Sequence, residues 1–255
     1  MGTLKVGLVQ HDIVWEDRDA TLNHLGPLVA SAARQGARLV VLTELFAVGF
    51  TMHTKLVAET ADGPTTRWLR DQASLHGIWI CGSIPEVNAG DDRPSNQLVL
   101  VAPDGSAHRY AKVHRFASAG EDDHYAAGHG EITVDIDDVR VTPFVCYDLR
   151  FGDRWWARAD ETDCYLVVAS WPAARRAHWR TLLTARAIEN QAYVLGVNRV
   201  GIGGEIDYVG DSLAVDPWGA VLADGGRGLE TVLVADVDPD HVAAIRDRYP
   251  FFHDR

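Results

Sequence analysis

Three residues of this 255-residue chain carry reactive side chains at the ends of apolar or strand-like segments. Cys146 follows the apolar segment 141–145, Glu44 follows 39–42, and Lys112 ends a strand-like stretch. A cysteine at a strand end can act as a nucleophile, because it is exposed there and backbone N–H groups of the turn can hold an oxyanion. A carboxylate among apolar neighbours suits a general base. An ammonium group can lower the pKa of a nearby thiol and stabilise an oxyanion.

Each of these residues also has an ordinary structural interpretation. Cysteine is often a small buried apolar residue, which is the interpretation we favour for Cys81 and Cys164 inside apolar runs. Glu44 alone is compatible with a helix cap or a surface acid, and Lys112 alone with a solvated strand end. Cys146, placed after a strand, fits catalysis as well as burial. All three strand ends together make a more specific pattern than any one of them.

The apolar pattern surrounds these residues with alternating strands and helices. Strands are predicted at 4–9, 38–42, 78–82, 96–101, 107–110, 139–145, 165–169, 192–198, 211–215 and 231–236. Helices are predicted at 18–35, 65–76, 151–159, 177–191 and 239–248. Strand–helix units with intervening hairpins indicate a mixed α/β protein. Because no linker, repeat or low-complexity tract interrupts the pattern, we expect residues 1–255 to form a single domain.

Composition excludes several functional classes. Lys plus Arg total 24 and Asp plus Glu total 36, for a net charge of −12, which argues against binding to nucleic acid or to an anionic membrane surface. No apolar run reaches the roughly 20 residues that span a bilayer. The three scattered cysteines suit neither a disulfide framework nor a zinc site. With no charged and apolar leader at the N-terminus, a cytoplasmic protein with free thiols is expected.

No signal for a cofactor or a metal stands out. The glycine-rich stretch 201–204 follows a strand, but its glycine spacing does not fit a dinucleotide site. The eleven histidines show no metal-ligand spacing, and the acidic stretch 135–138 lacks the pattern of a calcium loop. We therefore expect no cofactor and no metal.

The sequence around the three reactive residues resembles the signatures of the nitrilase, or carbon–nitrogen hydrolase, superfamily. The stretches 39–46, 110–116 and 145–151 resemble its glutamate, lysine and cysteine signatures, although Thr43 stands where the family usually has proline. Further stretches resemble the bacterial omega-amidase branch, which includes 2-oxoglutaramate amidases. They are 120–125, 170–173, 184–193, 198–201 and 208–212, so the resemblance covers essentially the whole chain.

This resemblance implies a four-layer α-β-β-α sandwich that usually dimerises through its helical faces. It also implies that Cys146 attacks an amide carbonyl and that Glu44 serves as the base. Lys112 and the backbone N–H of Tyr147 would hold the oxyanion, and a covalent thioester would divide the acyl transfer into two easier steps. Glu121 matches a second glutamate of the superfamily, which would orient Lys112 or the substrate; its alternative is a surface acid.

The remaining candidates concern substrate binding. Trp171 and Phe116 are candidate pocket walls, with core packing as the alternative for both. A 2-oxo acid carries a carboxylate that an arginine can bind, and Arg175 is our candidate. Arg186 and Arg199 also lie in the resembling stretches, but we expect structural ion pairs for both.

The leading hypothesis is an amidase that hydrolyses the terminal amide of a small 2-oxo acid, with water and the amide as its partners. A deaminated-glutathione amidase or an N-carbamoyl amidohydrolase of the same superfamily is the enzyme alternative. A non-catalytic scaffold that binds a partner is the alternative from another class. The apolar C-terminal stretch 249–253 is predicted to pack on the protein or on a partner subunit.

Overall fold

A computed structural model describes residues 2–87, 90 and 92–254 of the chain. The strands in this part of the chain are β1 Leu4–Gln10, β2 Leu39–Val41, β3 Glu59–Thr60, β4 Trp79–Val87, β5 Ser95–Val101, β6 Ala107–Ala111, β7 Val134–Ile136, β8 Val139–Val145, β9 Cys164–Ala169, β10 Tyr193–Asn198, β11 Val200–Gly203, β12 Ile206–Val209, β13 Leu213–Val215, β14 Val221–Asp224 and β15 Thr231–Val237. The α-helices are α1 Arg18–Arg34, α2 Thr54–Val57, α3 Pro64–His76, α4 Glu121–His124, α5 Gly152–Trp156, α6 Arg176–Asn190 and α7 Pro239–Arg248.

The strands form two large sheets and one small hairpin. The first sheet has the order β15-β1-β2-β4-β5-β6, with β3 added beside β4. Its central strands β1, β2 and β4 are parallel, whereas β15, β5 and β6 run antiparallel to their neighbours. The second sheet has the order β14-β13-β10-β9-β8-β7, with parallel β8, β9 and β10 at its centre. Strands β11 and β12 pair only with each other in the described sheets.

Side-chain alternation along the strands explains how these sheets stack. Leu4, Val6 and Leu8 of β1 lie in one apolar core with the strands of the second sheet, whereas Val9 lies in another core with α1 and α3. Helix α6 covers the outer face of the second sheet through Trp179 and the residues that follow it. The result is the α-β-β-α order of four layers that the resemblance implies, and the α/β class is confirmed.

One glycine allows α6 to approach its sheet closely. A Cβ atom on Gly196 of β10 would lie 2.5 Å from Leu183 Cδ1 and 2.9 Å from Trp179 Cζ2. Both helix residues are buried, so neither can move aside without opening a void. Glycine at this position therefore sets the distance between the helix layer and the sheet.

The predicted elements agree with the structure except at short or irregular segments. The helix predicted at 151–159 is instead the short α5 followed by a 3-10 turn at Ala159–Glu161, and a separate 3-10 helix, Cys146–Arg150, precedes it. Strands β3, β7, β11, β12 and β14 were not predicted, because two to four residues are too few to establish a period of two.

The C-terminal stretch packs on the body of the protein as predicted. The Tyr249 ring stacks on Trp218 at 4.6 Å, and the Phe252 ring meets Trp156 edge-on at 5.6 Å. Gln191 Nε2 donates to the Tyr249 carbonyl at 2.8 Å. Phe251 remains half-exposed beside these contacts.

None of the helices in the described part of the chain has both the length and the apolar character needed to cross a lipid bilayer.

Candidate active site

The three reactive residues meet because the ends of strands from both sheets meet. Lys112 directly follows β6 and Glu44 lies three residues beyond β2, both in the first sheet. Cys146 directly follows β8 in the second sheet, and Ser170 directly follows the neighbouring β9. Stacking of the two sheets brings these strand ends to one place.

The Lys112 ammonium group lies between two buried carboxylates. Its Nζ atom donates to Glu44 Oε1 at 2.8 Å and to Glu121 Oε1 and Oε2 at 2.9 and 2.8 Å. All three side chains are completely inaccessible to solvent. Buried charges persist when they are paired and hydrogen-bonded in this manner. The predicted proximity of Glu121 to Lys112 is thus present in the structure.

Glu44 is held at both oxygens. Besides Lys112, Oε1 accepts a hydrogen bond from Asn96 Nδ2 at 2.9 Å, and Oε2 accepts one from the Ser170 backbone N–H at 2.8 Å. The Ser170 hydroxyl donates in turn to the Glu44 carbonyl at 3.1 Å. These contacts join the glutamate of the first sheet to the end of β9 in the second.

Cys146 adopts a backbone conformation that is unusual for its residue type. Its φ angle is +45°, and it begins the 3-10 helix that follows β8. Leu45, directly after Glu44, has the same φ of +45°. Non-glycine residues in the left-handed region store strain that the surrounding structure must offset, and such residues cluster at functional sites. Both left-handed residues turn the chain sharply where a reactive side chain must be presented.

The Cys146 thiol has a raised pKa, although the sequence indicated that a nearby Lys112 could lower it. Burial raises the pKa of Cys146 well above its usual range, and the Glu44 carboxylate raises it further. The Lys112 ammonium opposes both effects without overcoming them. In the resting protein Cys146 is therefore a thiol, and Glu44 is the carboxylate that faces it.

Lys112 remains an ammonium group in this environment. Burial acts to lower the pKa of Lys112, but the Glu121 and Glu44 carboxylates outweigh it and hold the pKa well above its usual value. The pKa of Glu121 is raised, because burial and the Glu44 charge together exceed the opposing effect of Lys112. The lysine thus provides a permanent positive charge next to Cys146.

Asp148 ties the cysteine turn to the strand that carries Lys112. Its Oδ2 accepts from the Tyr110 hydroxyl at 2.8 Å and from the Val145 N–H at 3.2 Å. Its Oδ1 accepts from the His114 backbone N–H at 2.8 Å. Tyr110 and His114 are the residues two before and two after Lys112. The buried Asp148 carboxylate therefore spans the two sheets beside the reactive residues.

A cavity of about 520 Å³ opens above Cys146. The predicted pocket residues Phe116, Trp171 and Arg175 line it, as do Tyr147 and Lys112. The Tyr147 N–H belongs to the first turn of the 3-10 helix, where backbone N–H groups lack a partner within the helix. The cavity thus combines aromatic walls with a few polar groups, as small-molecule sites do.

Trp171 and Arg175 are fixed in the wall by separate contacts. The Trp171 N–H donates to Asn198 Oδ1 at 2.7 Å, and its ring Nε1 donates to the Arg175 carbonyl at 2.9 Å. The Arg175 guanidinium lies 4.8 Å above the centre of the Phe116 ring. No ion pair involves Arg175 within the described residues. Its charge is therefore available to a ligand carboxylate.

Sequence reasoning missed several residues of this site. Asn96 bridges the two carboxylates, and Arg150, Tyr208 and Phe50 line the cavity. Arg150 lies within the cysteine signature, four residues after Cys146, so the motif itself was the available signal. Asn96 carried no comparable signal, because a single asparagine in a strand does not reveal which face it occupies.

Two arginines have the structural roles expected for them. Arg186 donates to the Leu149 carbonyl at 3.1 Å and pairs with Glu189 at 2.7 Å. Arg199 pairs with Asp12 at 2.7 Å. In the described part of the chain, no group of three or more His, Cys, Asp or Glu side chains is arranged to hold a metal ion.

Comparisons with known proteins show which family this sequence resembles. The family model for carbon-nitrogen hydrolase matches residues 5–247. The chain is 41% identical to omega-amidase YafV of Yersinia enterocolitica, over all of this chain and 97% of that protein. It is 32% identical to the 2-oxoglutaramate amidase of Bacillus subtilis, over 86% of this chain and 85% of that protein.

A solved structure extends the likeness to three dimensions. The CN-hydrolase superfamily protein XC1258 of Xanthomonas campestris, determined with an arsenic adduct in its active site, superposes with a TM-score of 0.95. It is 37% identical and aligns over 100% of this chain and 98% of its own. Because the family match spans nearly the whole sequence and the solved relative matches the whole fold, this protein belongs to the carbon-nitrogen hydrolase family.

Proposed function

We propose that this protein is an omega-amidase that hydrolyses the terminal amide of a small 2-oxo acid monoamide, such as 2-oxoglutaramate or 2-oxosuccinamate. The observation that carries the proposed chemistry is the buried Lys112 between Glu44 and Glu121, next to the Cys146 thiol at the base of a cavity. Full-length relatives named omega-amidase support the substrate class.

Acylation begins with proton transfer from the thiol. Glu44 takes the proton of Cys146, and the sulfur attacks the amide carbonyl carbon. The carbonyl oxygen becomes an oxyanion that accepts hydrogen bonds from Lys112 Nζ and from the Tyr147 N–H. Lys112 has three donors: two go to Glu121, and the third, which contacts Glu44 Oε1, can turn to the oxyanion while the pair with Glu121 persists.

Collapse of this intermediate breaks the C–N bond. Glu44 returns its proton to the departing nitrogen, ammonia leaves, and the acyl group remains on Cys146 as a thioester. Glu44 then takes a proton from water, whose oxygen attacks the thioester carbonyl. The second collapse breaks the C–S bond and releases the carboxylic acid product, and the Cys146 thiolate regains its proton from Glu44. Glu121 is a positioning residue in this scheme, since it holds Lys112.

Two arginine side chains of the cavity can bind the carboxylate at the end of the substrate opposite the amide. Arg175 lies over Phe116, and Arg150 lies 4.9 Å above the Trp171 ring. A guanidinium group binds a carboxylate through two parallel hydrogen bonds. We assign the substrate carboxylate to Arg175, with Trp171 and Phe116 packed along the chain that connects it to the amide.

The test is ammonia release from a panel of 2-oxoglutaramate, 2-oxosuccinamate, deaminated glutathione, an N-carbamoyl amino acid and glutamine. Fastest turnover is expected on the 2-oxo amides, with activity lost in Cys146→Ala. Faster turnover of deaminated glutathione or the carbamoyl compound would contradict the proposed substrate class but not the proposed mechanism. If the wild type releases no ammonia from any compound, a non-catalytic scaffold is favoured.

Arg175→Leu should raise KM on the 2-oxo amides more than it changes kcat.

We further propose that two copies pair through the face beside α6. Ile188, Trp218 and Phe251 are about half exposed there. They are neighbours, since Trp218 stacks on Tyr249, which contacts Phe251, and Ile188 lies next to Gly219. Exposed apolar patches of this kind commonly mark interfaces. Sedimentation analysis should give a dimer for the wild type and a monomer for Trp218→Glu; a monomeric wild type would refute the proposal.

We also propose that residues 1–255 act as one catalytic domain in the cytoplasm. The apolar core that joins both sheets supports the single domain. The three cysteines are unpaired and buried, as suits a reducing compartment. Fractionation of cells that express the tagged protein tests the location, and a single cooperative unfolding transition tests the domain.

A further inference from the structure

Asn96 lies where the first sheet reaches the catalytic group. It is the second residue of β5, and its side chain is 1% exposed. Successive side chains of β5 point to opposite faces of the sheet, so Asn96 shares a face with Leu98, which belongs to the core between the sheets. The next residue, Gln97, points to the opposite face.

Asn96 contacts three members of the proposed catalytic group. Its Nδ2 atom donates to Glu44 Oε1 at 2.9 Å and to Glu121 Oε1 at 3.2 Å, which uses both amide hydrogens. Its backbone carbonyl accepts a hydrogen bond from the Lys112 N–H at 2.9 Å. One residue thus holds the general base, the second glutamate and the backbone of the lysine.

The orientation of the amide follows from the charges around it. With the amide reversed, its oxygen would face two carboxylate oxygens about 3 Å away, and acceptors repel one another. In the observed orientation, Asn96 Oδ1 is buried and has no hydrogen-bond partner within the described residues. An unpaired buried acceptor is costly, so the gain from both N–H contacts must exceed that cost.

These contacts bear on the charge balance of the site. Glu44 and Glu121 face a single ammonium group, and two carboxylates that share a site disfavour each other's ionised form. Hydrogen bonds donated to ionised carboxylates are stronger than neutral ones and favour the charged state. We propose that Asn96 is a positioning residue that holds Glu44 and Glu121 as a pair of ionised carboxylates around Lys112 and so keeps Glu44 ready to take the Cys146 proton.

The inference rests on the catalytic roles proposed above for these residues, and it has a consequence for the pH profile. Activity falls at low pH as the base becomes protonated, which gives the acidic limb of the kcat/KM profile. Loss of the Asn96 donors removes stabilisation from the ionised base. The acidic limb should therefore move to higher pH. A residue that only supported the fold would lower activity without moving this limb.

The experiment measures kcat and KM against pH, with 2-oxoglutaramate, for the wild type, Asn96→Ala and Asn96→Asp. In Asn96→Ala the acidic limb should rise by about one pH unit, and kcat at neutral pH should fall about tenfold or more with a smaller change in KM. Asn96→Asp keeps the side-chain size but adds a third carboxylate, so its limb should rise further. Limbs within about 0.3 unit of wild type in both variants would overturn the proposal.

Controls separate this inference from the proposed function. Gln97→Ala removes a buried amide from the same strand on the other face, and its acidic limb should match that of the wild type. Glu44→Gln should be inactive at every pH; activity there would show that the catalytic scheme itself is wrong. An inactive Glu44→Gln together with an unmoved limb in the Asn96 variants would show that only the inference fails. Circular dichroism confirms folding, and Asn96→Asp keeps the test available should the alanine variant not fold.

Discussion

Asp148 accepts a hydrogen bond from the Tyr110 hydroxyl at 2.8 Å, across the interface between the two sheets. Tyr110 belongs to β6, which Lys112 directly follows, and Asp148 lies two residues after Cys146. The contact therefore links the proposed nucleophile to the proposed oxyanion-binding lysine through side chains that do not line the cavity.

Asp148→Asn should impair catalysis more than substrate binding. The change weakens the acceptors for Tyr110 and His114, so the turn of Cys146 loses its alignment. We expect kcat to fall about tenfold to a hundredfold with KM changed less than threefold, since a hydrogen bond to a buried charge is worth about 1.5–3 kcal/mol. Steady-state kinetics with 2-oxoglutaramate give both values. Asp163→Asn is the matched control, because that buried carboxylate pairs with Arg140 away from the site; equal kcat losses in both variants would refute the role.

Glu44→Gln should separate thiol ionisation from turnover. The Glu44 charge is one cause of the raised pKa of Cys146, and Lys112 opposes it. Without that charge, the rate of Cys146 alkylation by iodoacetamide should reach its midpoint at a lower pH than in the wild type, although amide hydrolysis is lost. Mass spectrometry follows the modification, and the deeply buried Cys81 is the internal control. A midpoint that stays the same or rises would contradict the electrostatic role of Glu44.

His11 should make the protein less stable as the pH falls. Its Nδ1 lies 2.7 Å from the Asp12 carbonyl oxygen, which can only accept, so Nδ1 carries the proton and Nε2 accepts from the Thr43 hydroxyl at 3.0 Å. Burial lowers the pKa of His11 to about 4; the Asp12 carbonyl opposes this shift and the Arg199 charge adds to it. Between pH 6.5 and about 4, His11 therefore binds a proton in the unfolded chain but stays neutral in the folded protein.

The contribution of His11 is therefore complete above pH 6.5 and is lost as the pH falls toward 4. The expected loss of unfolding free energy over this window is about 3 kcal/mol from this residue. Urea unfolding at several pH values should show a smaller pH dependence in His11→Gln than in the wild type. His129→Gln, at an exposed histidine, should follow the wild type. An unchanged slope in His11→Gln would show that another group controls the acid response.

Two glycine-to-alanine changes should have opposite effects on stability. In Gly196→Ala, the new methyl group would lie 2.5 Å from Leu183 Cδ1, so α6 must shift; we expect a loss of about 1–3 kcal/mol. In Gly130→Ala, no atom outside the neighbouring residues lies within 4 Å of the new atom and the φ angle is not positive, so we expect a gain of about 0.4–1 kcal/mol from the reduced freedom of the unfolded chain. Chemical denaturation measures both. Equal stabilities of the two variants would refute the packing argument.

The sequence alone determined the α/β class, most element positions and the three reactive residues. Apolar periodicity is a local property, so β8 and α7 were predicted at the bounds that the structure has, 139–145 and 239–248. Signature motifs are also local, and they identified Glu44, Lys112 and Cys146. Short strands such as β3 and β11 were not predicted, since a few residues cannot establish a period.

The protonation of Cys146 and the contacts around the three reactive residues were decided by the tertiary structure alone. The sequence indicated that Lys112 could lower the pKa of the Cys146 thiol, whereas burial and the Glu44 charge in the folded protein raise that pKa. Electrostatic effects depend on distance and burial, which the order of residues does not reveal. For the same reason the sequence did not reveal the contacts of Asn96 and Asp148 around the reactive residues. These contacts form only because strand ends that are distant in sequence meet where the two sheets pack.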